Sequence, residues 1–221
     1  MATVLLIGAS RGIGLELARQ YLADGWRVIA TARDDAGLER LQALGAETLR
    51  LDVANPASNS GLAWQLDGEK IELAIYVAGV MDRASANTPP TLDRFDAVMH
   101  TNVLGAMRVL PTLAEALSPQ ARLAVISSRM GSMALRANPS GWLYRASKAA
   151  LNSVLKDTSL ALAGRATCVA LHPGWVRTDM GGSGADLDVA DAVAAMRRTL
   201  AGLQSADNGG FFDHDGTPLA W

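Results

Sequence analysis

The sequence predicts a doubly wound α/β fold, a parallel sheet of about seven strands with helices on both faces. Three observations carry this. Short apolar runs without polar alternation recur along the chain, as strands buried on both faces require. Amphipathic stretches of helical length stand between them. A glycine-rich turn sits at the first strand–helix junction. No repeat, low-complexity tract or linker divides the chain, so residues 1–221 form one domain.

The elements follow in order. Thr3–Ile7 is an apolar strand, and Gly12–Asp24 a helix with Ile13, Leu17 and Leu22 on one side. Arg27–Thr31 is the second strand, and Asp34–Leu44 a helix opening on acidic residues. Thr48–Leu51 and Leu73–Val77 are the third and fourth strands. Thr91–Leu117 reads as one long helical segment that Pro111 bends. Leu123–Ser127 is the fifth strand, Tyr144–Ala163 a long helix, and Thr167–His172 the sixth strand. Gly181–Gly184 reads as a mobile loop, Val189–Leu203 as a helix and Gly210–Phe212 as a short last strand.

Composition bounds the partners. Apolar residues make up 49% and charged residues 19%, an ordinary soluble profile. The net charge of −2 comes with no basic stripe, which argues against nucleic acid. Cys168, the single cysteine, lies in an apolar strand and reads as an inert core thiol. No signal peptide is framed at the start, and no apolar run reaches the ~18 residues of a membrane span. A cytoplasmic protein is expected. His100, His172 and His214 lack metal-ligand spacing, and no metal is expected.

Sheets of this kind bind ligands beyond the carboxyl ends of their strands. The first strand runs into Gly8-Ala-Ser10-Arg11-Gly12-Ile13-Gly14 and then a helix. Gly8 allows the tight turn, Gly12 lets backbone approach a pyrophosphate, and Gly14 lets the helix pack close to the sheet. The helix start offers free N–H groups to phosphate. The spacing is GxxxGxG rather than GxGxxG, and alone it is also compatible with a plain turn. Arg33 stands where an acidic residue would hold a ribose 2′-hydroxyl, and an arginine suits a 2′-phosphate instead. NADP(H) is therefore preferred over NAD(H), although Asp34 follows directly, and Arg33 read by itself is also compatible with a solvated surface residue. Asp52 and Val53 after the third strand, with Ala78 and Gly79 after the fourth, are candidates for the adenine and ribose pocket, or else simple turn residues.

Tyr144 and Lys148 lie four apart near a helix start and share a face. A free phenol has a pKa of about 10, and a neighbouring ammonium is expected to lower it, giving a tuned acid/base. Ser128 ends a strand on the same sheet edge and can bind the same carbonyl oxygen. Asn102 lies inside a helix, where asparagine needs compensation. Each of these alone has a bland reading: a surface pair, a turn serine, a buried amide with a local partner.

In chain order, Gly8-x-x-x-Gly12-x-Gly14, Asp52-Val53, Ala78-Gly79, Asn102, Ser128, Tyr144-x-x-x-Lys148 and Pro173-Gly174 with Thr178 resemble the short-chain dehydrogenase/reductase family over essentially the whole chain. Ser127–Ser132, Tyr144–Asn152, His172–Gly181 and Phe211–Trp221 are similar to its C-factor and sniffer-like carbonyl reductase group. The resemblance implies a Rossmann-like fold and hydride transfer between nicotinamide and a carbonyl or alcohol carbon. It implies catalytic roles for Ser128, Tyr144, Lys148 and Asn102, with the Asn102 amide holding a water near Lys148. It places Pro173, Gly174, Val176 and Thr178 against the nicotinamide. It also implies a homodimer or homotetramer, paired through the helices after the fourth and fifth strands. Sixteen positions separate Ser128 from Tyr144, more than the family commonly has, and Tyr76-Val77 replaces its usual Asn-Asn. Ser128 fits better than Ser127 because Arg129-Met130-Gly131 follows it.

On the substrate side, Met130, Trp142, Trp175 and Met180 are expected to border a shallow, open pocket for a small carbonyl or alcohol. The competing reading is a cofactor-binding signalling or regulatory protein of the C-factor type with little turnover. A third is epimerisation on the same scaffold.

Overall fold

The computed structural model describes residues 1–221. Its sheet has seven strands, all parallel, in the order β3-β2-β1-β4-β5-β6-β7. β1 (Thr3–Ile7), β2 (Arg27–Ala32) and β3 (Glu47–Arg50) alternate with α1 (Gly12–Ala23) and α2 (Asp35–Ala43). Two four-residue helices, α3 (Pro56–Asn59) and α4 (Leu62–Gln65), lead to β4 (Ile71–Tyr76). Then come α5 (Leu92–Met99), α6 (Gly105–Leu113), β5 (Leu117–Ile126), α7 (Trp142–Ala161), β6 (Ala166–His172), α8 (Val189–Gly202) and β7 (Gly210–Asp213).

Strand side chains alternate between two cores. Leu5 and Ile7 point to one face, where they meet Leu110, Leu113, Leu151 and Leu155 from α6 and α7. Val4 and Leu6 point to the other, against Leu17, Leu41, Val193 and Leu200 from α1, α2 and α8. Both faces are covered, which is why the strand sequences carry no alternation. No helix is long and apolar enough to cross a membrane. Cys168 is fully buried, and burial pushes its thiol up to about 12.

Three sequence expectations change. The segment expected to be one helix over 91–117 is two α-helices joined by a π-helical turn, His100–Leu104, and it ends at Leu113 with Pro111 inside its last turns. β5 begins at Leu117, six residues early, because its start is irregular. The pairing register against β4 shifts there, and Gln120 has a φ of 62°. The expected loop at Gly181–Gly184 is tied down. Gly182 N–H donates to Thr178 O (2.8 Å), Gly181 N–H to Thr178 Oγ1 (3.1 Å), and Trp175 Nε1 to Gly181 O (3.0 Å).

β1 and β4 are neighbours whose following connections run to opposite sides of the sheet, so a crevice opens beyond their carboxyl ends. After β7 the chain turns and runs back. Asp213 N–H donates to Thr217 O, and Phe212 pairs antiparallel with Pro218.

Candidate active site

A cavity of about 550 Å³ fills that crevice. Gly8, Ser10, Arg11, Gly12, Ile13 and Gly14 line one wall, with Thr178 against Gly12; Asp52, Val53, Ala78 and Gly79 line another, and Tyr144, Lys148 and Pro173 line it as well. The glycine turn has no room for side chains. A Cβ on Gly8 (φ +84°) would stand 2.7 Å from the Ala78 Cβ, and one on Gly14 2.6 Å from the Ala9 Cα. Ala78 N–H donates to Ile7 O (2.9 Å), which draws the two strand ends together. No side chain caps α1, so the amides of its first turn remain free for an anion.

Arg11 and Arg33 both line this cavity. Asp34 lines it too, but its Oδ1 accepts from Gly37 N–H (2.8 Å) and so caps α2. A third arginine, Arg40, lines the same end and donates from Nε to Ser10 O (3.0 Å). No motif marks it, because only the packing of α2 brings it beside a turn thirty residues earlier.

At the other end Lys148 is almost wholly buried and pairs with no carboxylate. Its Nζ donates to Ile126 O (2.8 Å) and lies 5.7 Å from the Tyr144 ring centroid. Burial lowers its pKa to about 8. Tyr144 departs from expectation. Burial raises its hydroxyl to about 12, and the hydrogen bond with Ser128 offsets this only in part. The ammonium does not lower it here, because desolvation of the phenolate outweighs any other influence.

Ser128 is distinguished from Ser127 by its partners. The Ser127 hydroxyl lies 2.5 Å from Asn152 Oδ1 and is spent there, whereas Ser128 reaches Tyr144. Ser128 Oγ also accepts from Met130 N–H (3.1 Å).

Asn102 is fully buried on the π-helical turn. Its Oδ1 accepts from Val80 N–H (2.8 Å), and its Nδ2 donates to Val80 O (2.8 Å) and Ser147 Oγ (2.9 Å). Both amide protons are consumed, so the side chain is a clip between the β4 end and α7, not a free donor to a water. A Cβ on Gly79 would meet Asn102 Oδ1 and Lys148 Nζ, each at 3.4 Å, so Gly79 keeps the space between them open.

Gly174 and Val176 do not line the cavity, unlike Pro173 and Thr178. Val176 is buried and bridges to Leu187, so its side chain serves packing. Of the expected substrate-side residues, Met180 lines the cavity, while Met130, Trp142 and Trp175 do not, and the two tryptophans are exposed. His172 and His214 converge on Asp213, with His214 Nδ1 2.6 Å from Asp213 Oδ1, and burial lowers His172 to about 4.

Fold and site together define a doubly wound protein whose cavity runs from a glycine turn to the buried Tyr144–Lys148 pair; Ser127 lines it, and Ser128 stands just outside the lining. The chain belongs to the short-chain dehydrogenase/reductase family of oxidoreductases, whose model, described as short chain dehydrogenase, matches residues 2–186. It is 42% identical to C-signal of Myxococcus xanthus over 123 residues, 54% of this chain and 74% of that protein. It is 30% identical to 1-hydroxy-2-glutathionyl-2-methyl-3-butene dehydrogenase of Rhodococcus over the full length of both. Among solved structures, a short-chain dehydrogenase/reductase of Burkholderia multivorans with bound NADP superimposes with a TM-score of 0.90 at 32% identity, covering 100% of this chain and 99% of that one. Carbonyl reductase Sniffer of D. melanogaster does so at 0.89 and 30%, covering both chains fully.

Proposed function

We propose that the chain is an NADP(H)-dependent carbonyl reductase with Tyr144 as its acid. One observation carries the reading. A single cavity runs from an uncapped glycine turn flanked by Arg11, Arg33 and Arg40 to the Tyr144–Lys148 end. The residues fit the cofactor: the turn excludes side chains where phosphates would lie, and three guanidinium groups suit a 2′-phosphate at the near end. The NADP bound by the Burkholderia relative supports the same choice.

Bound NADPH supplies the hydride. At neutral pH Tyr144 is protonated, since its pKa is held near 12, and it is therefore poised to donate. As the substrate carbonyl oxygen gains negative charge, the Tyr144 hydroxyl gives it a proton. The Ser128 hydroxyl orients the same oxygen. Lys148 brings a positive charge to the face of the ring, 5.7 Å from its centroid, where it partly offsets the burial cost of the phenolate left after donation. Asn102 holds α7 and the β4 end in register for this geometry.

The test is NADPH oxidation with a panel of aldehydes, ketones and diketones, beside Tyr144→Phe. The variant should lose ~10²-fold or more in kcat while still binding NADPH by fluorescence titration. The 42% identity to C-signal favours a second reading, a regulatory protein that binds cofactor with little turnover. Wild-type protein that binds NADPH and reduces none of the panel would select it.

A further inference from the structure

The segment that folds back from β7 ends on the loop between Ser128 and Tyr144. Leu219 N–H donates to Phe211 O (2.8 Å), and this brings the Trp221 indole onto the Phe211 ring, centroids 5.1 Å apart and planes at 21°. The main-chain oxygen of Trp221 then accepts three hydrogen bonds, each 3.1 Å, from the Ser132 hydroxyl and the N–H groups of Met133 and Ala134. Ser132 is fully buried, and its Oγ also accepts from Leu135 N–H (3.0 Å).

Ser132 lies four residues after Ser128, and the turn between them is rigidly seated. Gly131 N–H donates to Ser128 O (2.7 Å), and a Cβ on Gly131 would stand 2.8 Å from the Lys148 carbonyl carbon. An unbroken path of contacts therefore runs from Trp221 through Ser132 to Ser128 and Lys148. The far end of the loop has its own anchor. Arg145 donates from Nε to Ser140 O (2.7 Å) and from Nη2 to Asn138 Oδ1 (3.0 Å). Between the anchors, Leu135, Arg136 and Ala137 are exposed.

We infer that Trp221 is a positioning residue, whose stack on Phe211 and three accepted hydrogen bonds strap the serine–tyrosine loop and hold the turn that carries Ser128. Met130 belongs to the strapped turn, and its Cε comes within 2.9 Å of where a Gly141 Cβ would be. Releasing Trp221 frees one end of the loop while Arg145 holds the other. The loop then samples open states that bind substrate less well, and the phenol, seated on α7, keeps its place.

The consequence for turnover rests on the carbonyl reductase reading; the strap itself does not. The experiment uses the full chain as wild type, Trp221→Ala and Trp221→Phe. Each is digested briefly with trypsin, and cleavage after Arg136 and after Lys148 is followed by mass spectrometry. Removing an aromatic stack is expected to speed cleavage after Arg136 about tenfold in Trp221→Ala. Cleavage after Lys148 should stay at the wild-type rate, and Trp221→Phe should restore slow cleavage because its ring still stacks. NADPH affinity is expected to be unchanged, and KM for a carbonyl substrate to rise about tenfold with kcat altered less. Unchanged cleavage after Arg136, or equal acceleration after Lys148, would overturn the strap. If wild type reduces no carbonyl, the proteolysis still decides it, and only the functional reading falls.

Discussion

Lys148 is a cation held out of water with a single main-chain oxygen for a partner. Its pKa is about 8 in the folded protein, against an ordinary 10.5. Between those values the unfolded chain binds more protons than the folded one, so stability rises with pH across that window. Below about 8 the full cost of burying the charge is present, on the order of 3 kcal/mol. Lys148→Met should therefore melt higher than wild type at pH 7, with the gain shrinking as pH climbs toward 10.5, while oxidoreductase activity is lost. Thermal melts of both proteins at several pH values check this, and a constant difference would refute it. The pattern of spacing in the sequence was enough to bring Tyr144, Lys148 and the glycine turn to one cavity. It could not show the sense of the Tyr144 shift, which depends on burial, nor Arg40, which only tertiary packing delivers. Ser128 and Ser127 separate by which hydroxyl Asn152 occupies, twenty-five residues downstream.

The π-helical turn at His100–Leu104 explains how an asparagine is tolerated in mid-helix. The wider turn presents Asn102 to the β4 end, and all its amide protons find acceptors. Asn102→Ala would strip the half-buried Val80 N–H and Val80 O of their side-chain partner and take one donor from the buried Ser147 Oγ, which still donates to Tyr144 O. The loss should be about 2–4 kcal/mol, lowering the thermal midpoint by roughly 4–16 °C, measured by scanning calorimetry. Elements with a clear apolar run or helical period, such as β1, α1 and α7, were readable to within two residues. α3 and α4 were not, because four residues show no period. Only Asn55 as cap with Pro56 at the first helical position marks α3. The early start of β5 was hidden by Ser118, Pro119 and Gln120, which break its apolar run.

Two cores, one on each face of the sheet, make the molecule a three-layer body with little sharing between its outer layers. Leu110→Ala on one face and Leu200→Ala on the other should each cost about 2–5 kcal/mol. Their effects should add to within about 0.5 kcal/mol in the double variant, as urea unfolding would show. Strong coupling would mean that the sheet transmits repacking from face to face. The layers leave two strands with an unpaired side, and each is made a poor template. Beside β7 the returning chain offers Pro218, which has no N–H to donate. At the opposite margin β3 is four residues long, and its Glu47 and Arg50 are engaged by Arg27 and Asp35. A neighbouring molecule therefore finds no length of free ladder on which to add a strand, and the parallel sheet is guarded against edge-to-edge polymerisation.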